Sequence, residues 1–461
     1  MTTMIPSAQP SAQPSLQPSP QSSLEPSPQQ SSPLAEKELT SNANDDVVSV
    51  TSEQEKGAPP VHPPPDGGLL AWLQVVGAFC LSINTFGLQN AFGVFESYYL
   101  GSFMHNKSPS TVAWIGSMEA FLLLTVCVFA GPLFDKGHMR LMIVVGTVMV
   151  VFGMMMTSLG KQFYQVLLSQ GFCVGIGQGL LFLPSIAVCA TYFSKKRGTA
   201  IGLAFSGCSI GGVIYPIMLH RLLPHIHFPW TTRVMGFLAL GIQVLPLAVM
   251  RQHIHPAKRR AFFLPRALLE PPFTLFCIGT LLSFTGLYVP YFYITNYAES
   301  KAGMSEYLAF YMLPIINGTT IIGRVVGNYM SDKVGPLNTI IPFTVSASVL
   351  GYAWIGIKNS PGLIMFAVLY GTCAGAIESV PGSVIAGLTS NMREVGTRLG
   401  MCFLFEGFGV LIGSPIAGAI INLEESYYVH AQLFCGSLLV GAFAFMTLGR
   451  IACSRHILYK A

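Results

Sequence analysis

The sequence predicts an all-α, polytopic membrane protein with twelve transmembrane helices in two parallel six-helix repeats. Three observations carry this. Long apolar runs recur along the chain, basic residues gather at one end of those runs, and the second half of the chain repeats landmarks of the first. Of 461 residues, 51% are hydrophobic and only 10% are charged, with a mean hydropathy of +0.56. A soluble domain carries about 25% charged residues. Apolar runs of about 18 residues or more cross roughly 30 Å of hydrocarbon as helices. Twelve such runs are expected at 69–95, 111–134, 139–159, 163–191, 199–222, 232–250, 273–297, 306–330, 337–357, 362–389, 396–421 and 430–452.

Residues 1–65 differ in kind. SAQPSAQPSLQPSPQSSLEPSPQQSSP repeats a Ser-x-Gln-Pro unit with almost nothing to bury, so a disordered cytosolic tail is expected. It lacks Lys and Arg before Lys37 and has no apolar core, which argues against a mitochondrial presequence or a signal peptide. The organisation read from the sequence is a tail (1–65), a six-helix half (66–250), a basic cytosolic linker (251–270), a second six-helix half (271–452) and a short cytosolic C-terminus (453–461).

With the tail inside, the inner loops and C-terminus hold sixteen Lys and Arg residues, Lys136, Lys195, Arg251, Lys333 and Arg398 among them. The outer loops and ends hold six: Lys107, Lys161, Arg221, Arg233, Lys301 and Lys358. The positive-inside bias places both termini in the cytosol, of the cell membrane or alternatively the vacuolar membrane. The net charge of +5 then reflects orientation in a lipid bilayer, with no nucleic-acid partner. Asn106-Lys107-Ser108 falls in the first outer loop as a glycan acceptor.

Cofactor and enzyme signals are weak. The ten cysteines lie in or at the ends of apolar helices without metal spacing, so they read as packing residues. The pairs His225/His227 and His253/His255 have no third ligand type. GCSIG at 207–211 matches a nucleophile elbow but sits in an apolar helix. No cofactor is expected, and no paired aspartates or HExxH support an intramembrane enzyme.

The internal repeat is more specific. RGTAIGLAF (Arg197 to Phe205) aligns with VGTRLGMCF (Val395 to Phe403) at an offset of 198. Pro216-Ile217 and Pro415-Ile416 follow at 199, and Asp135-Lys136 and Asp332-Lys333 lie 197 apart. The two halves therefore run in the same orientation, as in transporters built from parallel repeats around a midline cleft. Gly-x-x-x-Gly pairs at Gly175/Gly179, Gly198/Gly202, Gly323/Gly327, Gly371/Gly375 and Gly409/Gly413 predict close helix contacts.

Several segments resemble the fungal branch of the monocarboxylate transporter family, within the major facilitator superfamily. They are PDGGLLAWLQVVGAF (Pro65 to Phe79), FGLQNAFGVFESYY, SPSTVAWIGS, GLYVPYFYITNYA and IINGTTIIGRVVGNYMSDKVGPLN (Ile315 to Asn338), in the family's order from Pro65 to about residue 450. The resemblance implies alternating-access transport of a small organic solute, often with a proton. Carboxylate, vitamin and secondary-metabolite carriers all occur among such relatives, so efflux of a biosynthetic product stands as an alternative to import. A transporter-like nutrient receptor is the alternative from another class.

Arg324 is the most informative intramembrane residue. It lies eight residues before Asp332, about 12 Å from the inner end of its helix. A guanidinium at that depth should face a cavity or a partner. The resemblance matches it to the eighth-helix arginine that binds the substrate carboxylate in animal members, and a planar fork suits a carboxylate. The chain departs from those members at two places. Thr320 stands where they have an aspartate, and Asn90 where they have a first-helix lysine.

The other polar intramembrane positions are Glu119, Asn317, Glu378 and Glu406. Asn90, Asn317, Glu378 and Glu406 join Arg324 as expected substrate contacts. Glu378, Glu406 and Glu119 are candidate proton carriers, with helix pinning the favoured reading for Glu119. Equal depth on neighbouring helices makes Glu406 the expected partner of Arg324. Asp135, Lys136, Asp332 and Lys333 fit degenerate copies of the superfamily's inner-loop motif and are assigned to gating.

Overall fold

A computed structural model describes residues 67–193, 196–252, 263–389, 394–421 and 427–453. The expected tail (1–65), half of the expected linker (253–262) with the pair His253/His255, Lys195 and residues 454–461 lie outside the described residues. Eleven helices long and apolar enough to span a membrane occur among them. These are α1 (Leu69–Gly101), α2 (Pro109–Phe134), α3 (Met139–Thr157), α4 (Phe163–Tyr192), α5 (Arg197–Val249), α6 (Pro271–Ser300), α7 (Glu306–Val334), α8 (Pro336–Gly356), α9 (Ser360–Leu388), α10 (Val395–Ile420) and α11 (Val429–Cys453).

Eleven helices still give twelve crossings. Helix α5 has 53 residues, about 80 Å at 1.5 Å per residue, more than twice the hydrocarbon thickness. It folds back at His227, whose φ of 56° and ψ of 168° break the helix between Pro224 and Pro229. Spans five and six are thus joined by a corner at His227 in place of the loop expected between 222 and 232.

Local sequence explains where the helices start, stop and bend. Ser108 accepts a hydrogen bond from the Thr111 amide (3.2 Å), with Pro109 opening α2. Ser305 and Asn359 cap the starts of α7 and α9 in the same way. Gly335 ends α7 at φ 97°, and Pro336 starts α8. Interruptions fall inside α1 at Thr85 and Asn90, inside α6 at Tyr288 and inside α9 at Val380. The last two precede Pro290 and Pro381, which cannot donate to the preceding turn. Within α4, Leu167–Val174 is a π-helix.

The packing follows the sequence repeat. Helices α2 and α10 pack together, as do α5 and α7. These are crossings two with eleven and five with eight. The repeat equates crossing two with eight and five with eleven, so one contact maps onto the other about a pseudo-twofold axis. All five Gly-x-x-x-Gly pairs lie on helix contacts. A Cβ on Gly323, Gly371 or Gly375 would stand 1.8–2.4 Å from a carbonyl oxygen across the α7–α9 contact. On Gly202 it would meet the Arg324 carbonyl at 2.7 Å, and on Gly413 the Thr285 carbonyl at 2.2 Å. Val148, Phe152, Val244, Val349 and Met365 project outward, more than half exposed, as a lipid-facing surface requires.

Candidate translocation site

Helix α7 turns one polar face inward. Asn317, Thr320, Arg324 and Asn328 recur at helical spacing and all are buried. The face packs on α5: the Thr320 hydroxyl bonds the Ser209 hydroxyl, and Gly212 lies against the Asn317 side chain. Asn328 Nδ2 reaches the Arg324 carbonyl and Ser379 Oγ of α9, both at 2.8 Å. Gly202 and Gly212 of α5 let the two helices approach closely, a Cβ there meeting the Arg324 carbonyl or the Asn317 side chain at 2.5–2.7 Å.

Arg324 donates from its Nη2 to Glu378 Oε2 on α9, and the two side chains are 2% and 4% exposed. This corrects the expected Arg324–Glu406 pairing. Glu406 instead meets Cys402 Sγ at 3.5 Å on its own helix. Glu378 stands ten residues before the end of α9 at Leu388, as Arg324 stands ten before the end of α7 at Val334, so the two share a level. Glu378 and Glu406 both line a small central cavity of about 20 Å³ walled by Phe86, Phe182, Phe284 and Phe403. That space fits about one water.

The pair is not saturated. Arg324 Nε and the Tyr291 hydroxyl are buried without a hydrogen-bond partner, and the Tyr288 hydroxyl lies beside Glu378. Both tyrosines, 5.4 Å apart between ring centroids, sit at the interruption of α6 within electrostatic reach of Arg324 and Glu378. Buried polar atoms left open at a helix break offer donors and acceptors to a cargo. The tyrosines were not singled out from sequence, although GLYVPYFYITNYA contains them. The available signal was Pro290, which interrupts the helix beside them.

The other expected residues are distributed around this centre. Asn317 donates to the Leu313 carbonyl (3.2 Å) and leaves its Oδ1 open. Asn90 occupies the second break of α1 with both amide atoms buried and unpartnered. Glu119 lies elsewhere, on α2, accepting from Gln178 Nε2 (2.8 Å) and Gln170 Nε2 (3.3 Å) of α4. Tyr99 closes that network with a 2.6 Å bond to Gln170, which stands in the π-helix. Glu96 on α1 is a further buried carboxylate that sequence reading missed, with both oxygens unpartnered.

At the basic end, Asp332 accepts from the Gly198 and Thr199 amides (3.1 and 2.9 Å) and the Thr199 hydroxyl (2.9 Å), tying α7 to the start of α5. Lys333 lies over the Tyr329 ring at 4.4 Å, and Lys136 is exposed. The side chain of Asp135 lies outside the described residues. Arg398 reaches back to Glu270 with two 2.6 Å bonds, and those bonds hold the Glu270 carboxyl below the usual carboxylate range. At the far end Ser110 bonds the Pro415 carbonyl (2.9 Å), Phe92 packs on Phe292, and Arg221 donates to Tyr307 and Tyr311. Asn106 is exposed in the turn before α2.

Two helix sets around a buried ion pair, joined at the far end, are the build of a membrane transporter. The sequence model of the Major Facilitator Superfamily matches residues 75–360 and 319–451, and the chain belongs to that superfamily. It is 43% identical to the MFS-type transporter dbaD of Emericella nidulans over 388 residues, covering 84% of this chain and 86% of the relative. The MFS transporter asaE of Aspergillus flavus is 38% identical, with 88% and 92% covered. The Aspyridones efflux protein apdF of Emericella nidulans is 35% identical, with 86% and 83% covered. The crystal structure of the nucleoside transporter NupG superposes with a TM-score of 0.59 at 13% identity, covering 83% of this chain and 99% of that one. That likeness speaks to the fold alone.

Proposed function

We propose that the protein exports a small acidic metabolite together with a proton, by alternating access, from a cytosol that faces the basic end. The observation that carries this reading is the buried Arg324–Glu378 pair, with Arg324 Nε and the adjoining Tyr291 hydroxyl left open. An arriving organic anion competes with Glu378 for the guanidinium. A proton taken up by Glu378 makes that exchange electrically neutral, and its departure on the other side resets the pair. The two breaks flanking the centre, at Tyr288 and Val380, supply points where α6 and α9 bend as the halves rock.

Efflux is preferred over import because one relative, at 35% identity across most of both chains, is by its name an efflux protein. An animal-type proton–lactate carrier is a poorer fit, since Thr320 and Asn90 replace two charged residues of that mechanism. Asp332, bridging α5 and α7, fits a gate whose hydrogen bonds break when the basic end opens. Deleting the gene in its own organism should shift at least one acidic metabolite from medium to cells. Reintroduction should restore export, and Arg324→Lys, present at normal membrane levels, should not. Unchanged partition of acidic metabolites on deletion would reject export.

A further inference from the structure

A second cavity, of about 210 Å³, lies at the basic end, away from the Arg324 centre. Its wall comes from the ends of α2 and α4 and the starts of α5 and α10. Phe134, Leu183, Ile186, Leu399 and Phe403 make it largely apolar, and among the described residues of its lining Arg197 is the one that carries a charge. Among the described residues Arg197 has no hydrogen bond and no ion pair, whereas Arg324 and Arg398 are both matched to carboxylates. An unmatched guanidinium beside an apolar hollow invites an anion attached to an apolar body.

Two further features agree. The repeat that equates RGTAIGLAF with VGTRLGMCF puts the first turns of α5 and α10 at the same end, and both line this cavity. Their positive dipole ends add to the field of Arg197. Ile186 and Phe403 also wall the central cavity that holds Glu378 and Glu406. The two spaces are therefore separated by shared side chains and succeed one another along the path inward. An apolar cavity of about 150 Å³ takes benzene, so this one admits a larger ring body.

We infer that this vestibule is a recognition site for an amphiphilic organic acid, an aromatic or alicyclic body carrying one carboxylate-like group, with Arg197 as its first ionic contact. The inference rests on the export reading, because it sets the class of cargo that approaches from the basic end. A small hydrophilic acid would leave the Phe and Leu wall wet, and a neutral cargo would leave the guanidinium unmatched.

Purified full-length protein in detergent tests this with 2-naphthoate, 2-naphthamide and acetate by equilibrium dialysis. The naphthoate should bind at least about tenfold tighter than the amide, as expected for one charge-assisted contact, and acetate far more weakly than either. Arg197→Gln should erase the preference for acid over amide, while Arg197→Lys keeps much of it. Ala190→Trp, which fills the cavity, should weaken both naphthyl probes, with melting and size exclusion showing that the chain is folded. Equal binding of acid and amide, or full naphthoate affinity in folded Arg197→Gln, would overturn the site. Export is read separately in vesicles. Naphthoate movement that ignores Arg197→Gln removes this site and leaves export standing, whereas Arg197-dependent binding without movement keeps the site and rejects export.

Discussion

Replacing Glu378 by Gln leaves a guanidinium in a position only 1% exposed, and Arg cannot shed its charge. Breaking a buried pair this way costs about 3–5 kcal/mol in soluble cores, a large share of the roughly 5–15 kcal/mol that holds a typical protein folded. The reverse replacement is not equivalent. Arg324→Gln leaves a carboxyl that one proton can discharge, so its cost should fall to about 1–3 kcal/mol, that of open hydrogen bonds. The double variant Arg324→Gln/Glu378→Gln removes both charges and should unfold near the milder single variant. Reversible unfolding in mixed micelles measures all four corners of this cycle, with membrane yield as a second readout. The expected result is a coupling of at least about 2 kcal/mol and a Glu378→Gln defect larger than that of Arg324→Gln. Additivity within about 0.5 kcal/mol, the behaviour of independent sites, would refute the pair as an energetic unit. A Glu406→Gln defect as large as that of Glu378→Gln would do the same, since the hydrogen bond described for Glu406 is a weak one from the Cys402 thiol.

Three other outcomes follow from the packing and the charges. Gly375→Ala should sharply lower folded yield, because its Cβ would lie 2.2 Å from the Thr320 carbonyl and backbone cannot swing aside, while Gly131→Ala, with open space around it, should be tolerated. His227→Gly should match or exceed the native melting temperature, with up to about 1–2 kcal/mol of relief, because only glycine occupies that backbone region without strain; a clear loss of stability would contradict the corner. Glu270 has a native pKa below its unfolded value, so its bonds to Arg398 contribute fully above about pH 4.3 and fade as pH falls through the depressed native value. As Glu270 is 45% exposed, the contribution should be no more than about 1 kcal/mol, and Glu270→Gln should flatten the melting temperature's fall in that acid range.

The one-dimensional sequence carried the bilayer-scale information. Span lengths, the basic bias and the repeat offsets depend on residue type and spacing alone, and hydrocarbon leaves a spanning chain few options beyond helices. For the same reason the Gly-x-x-x-Gly pairs could be read as contacts before any partner was known, and Arg324 could be marked as a charge needing one. The choice of partner could not. Glu378 and Glu406 stand on different helices, and which one meets Arg324 depends on the rotation of α9 and α10 about their axes. That rotation is decided where Gly371 and Gly375 let α9 close on the backbone of α7. The continuity of spans five and six through His227 was equally hidden, because the apolar runs stop at 222 and resume at 232, while the fold accommodates Pro224 and Pro229 between them in a helical corner. Arg197 shows the limit most clearly. In sequence it is one of three adjacent basic residues that set orientation, and only the convergence of α2, α4, α5 and α10 places it on the wall of an apolar cavity. Residue spacing determines what a helix must bury or bring to lipid, and tertiary packing determines which of the buried charges meet.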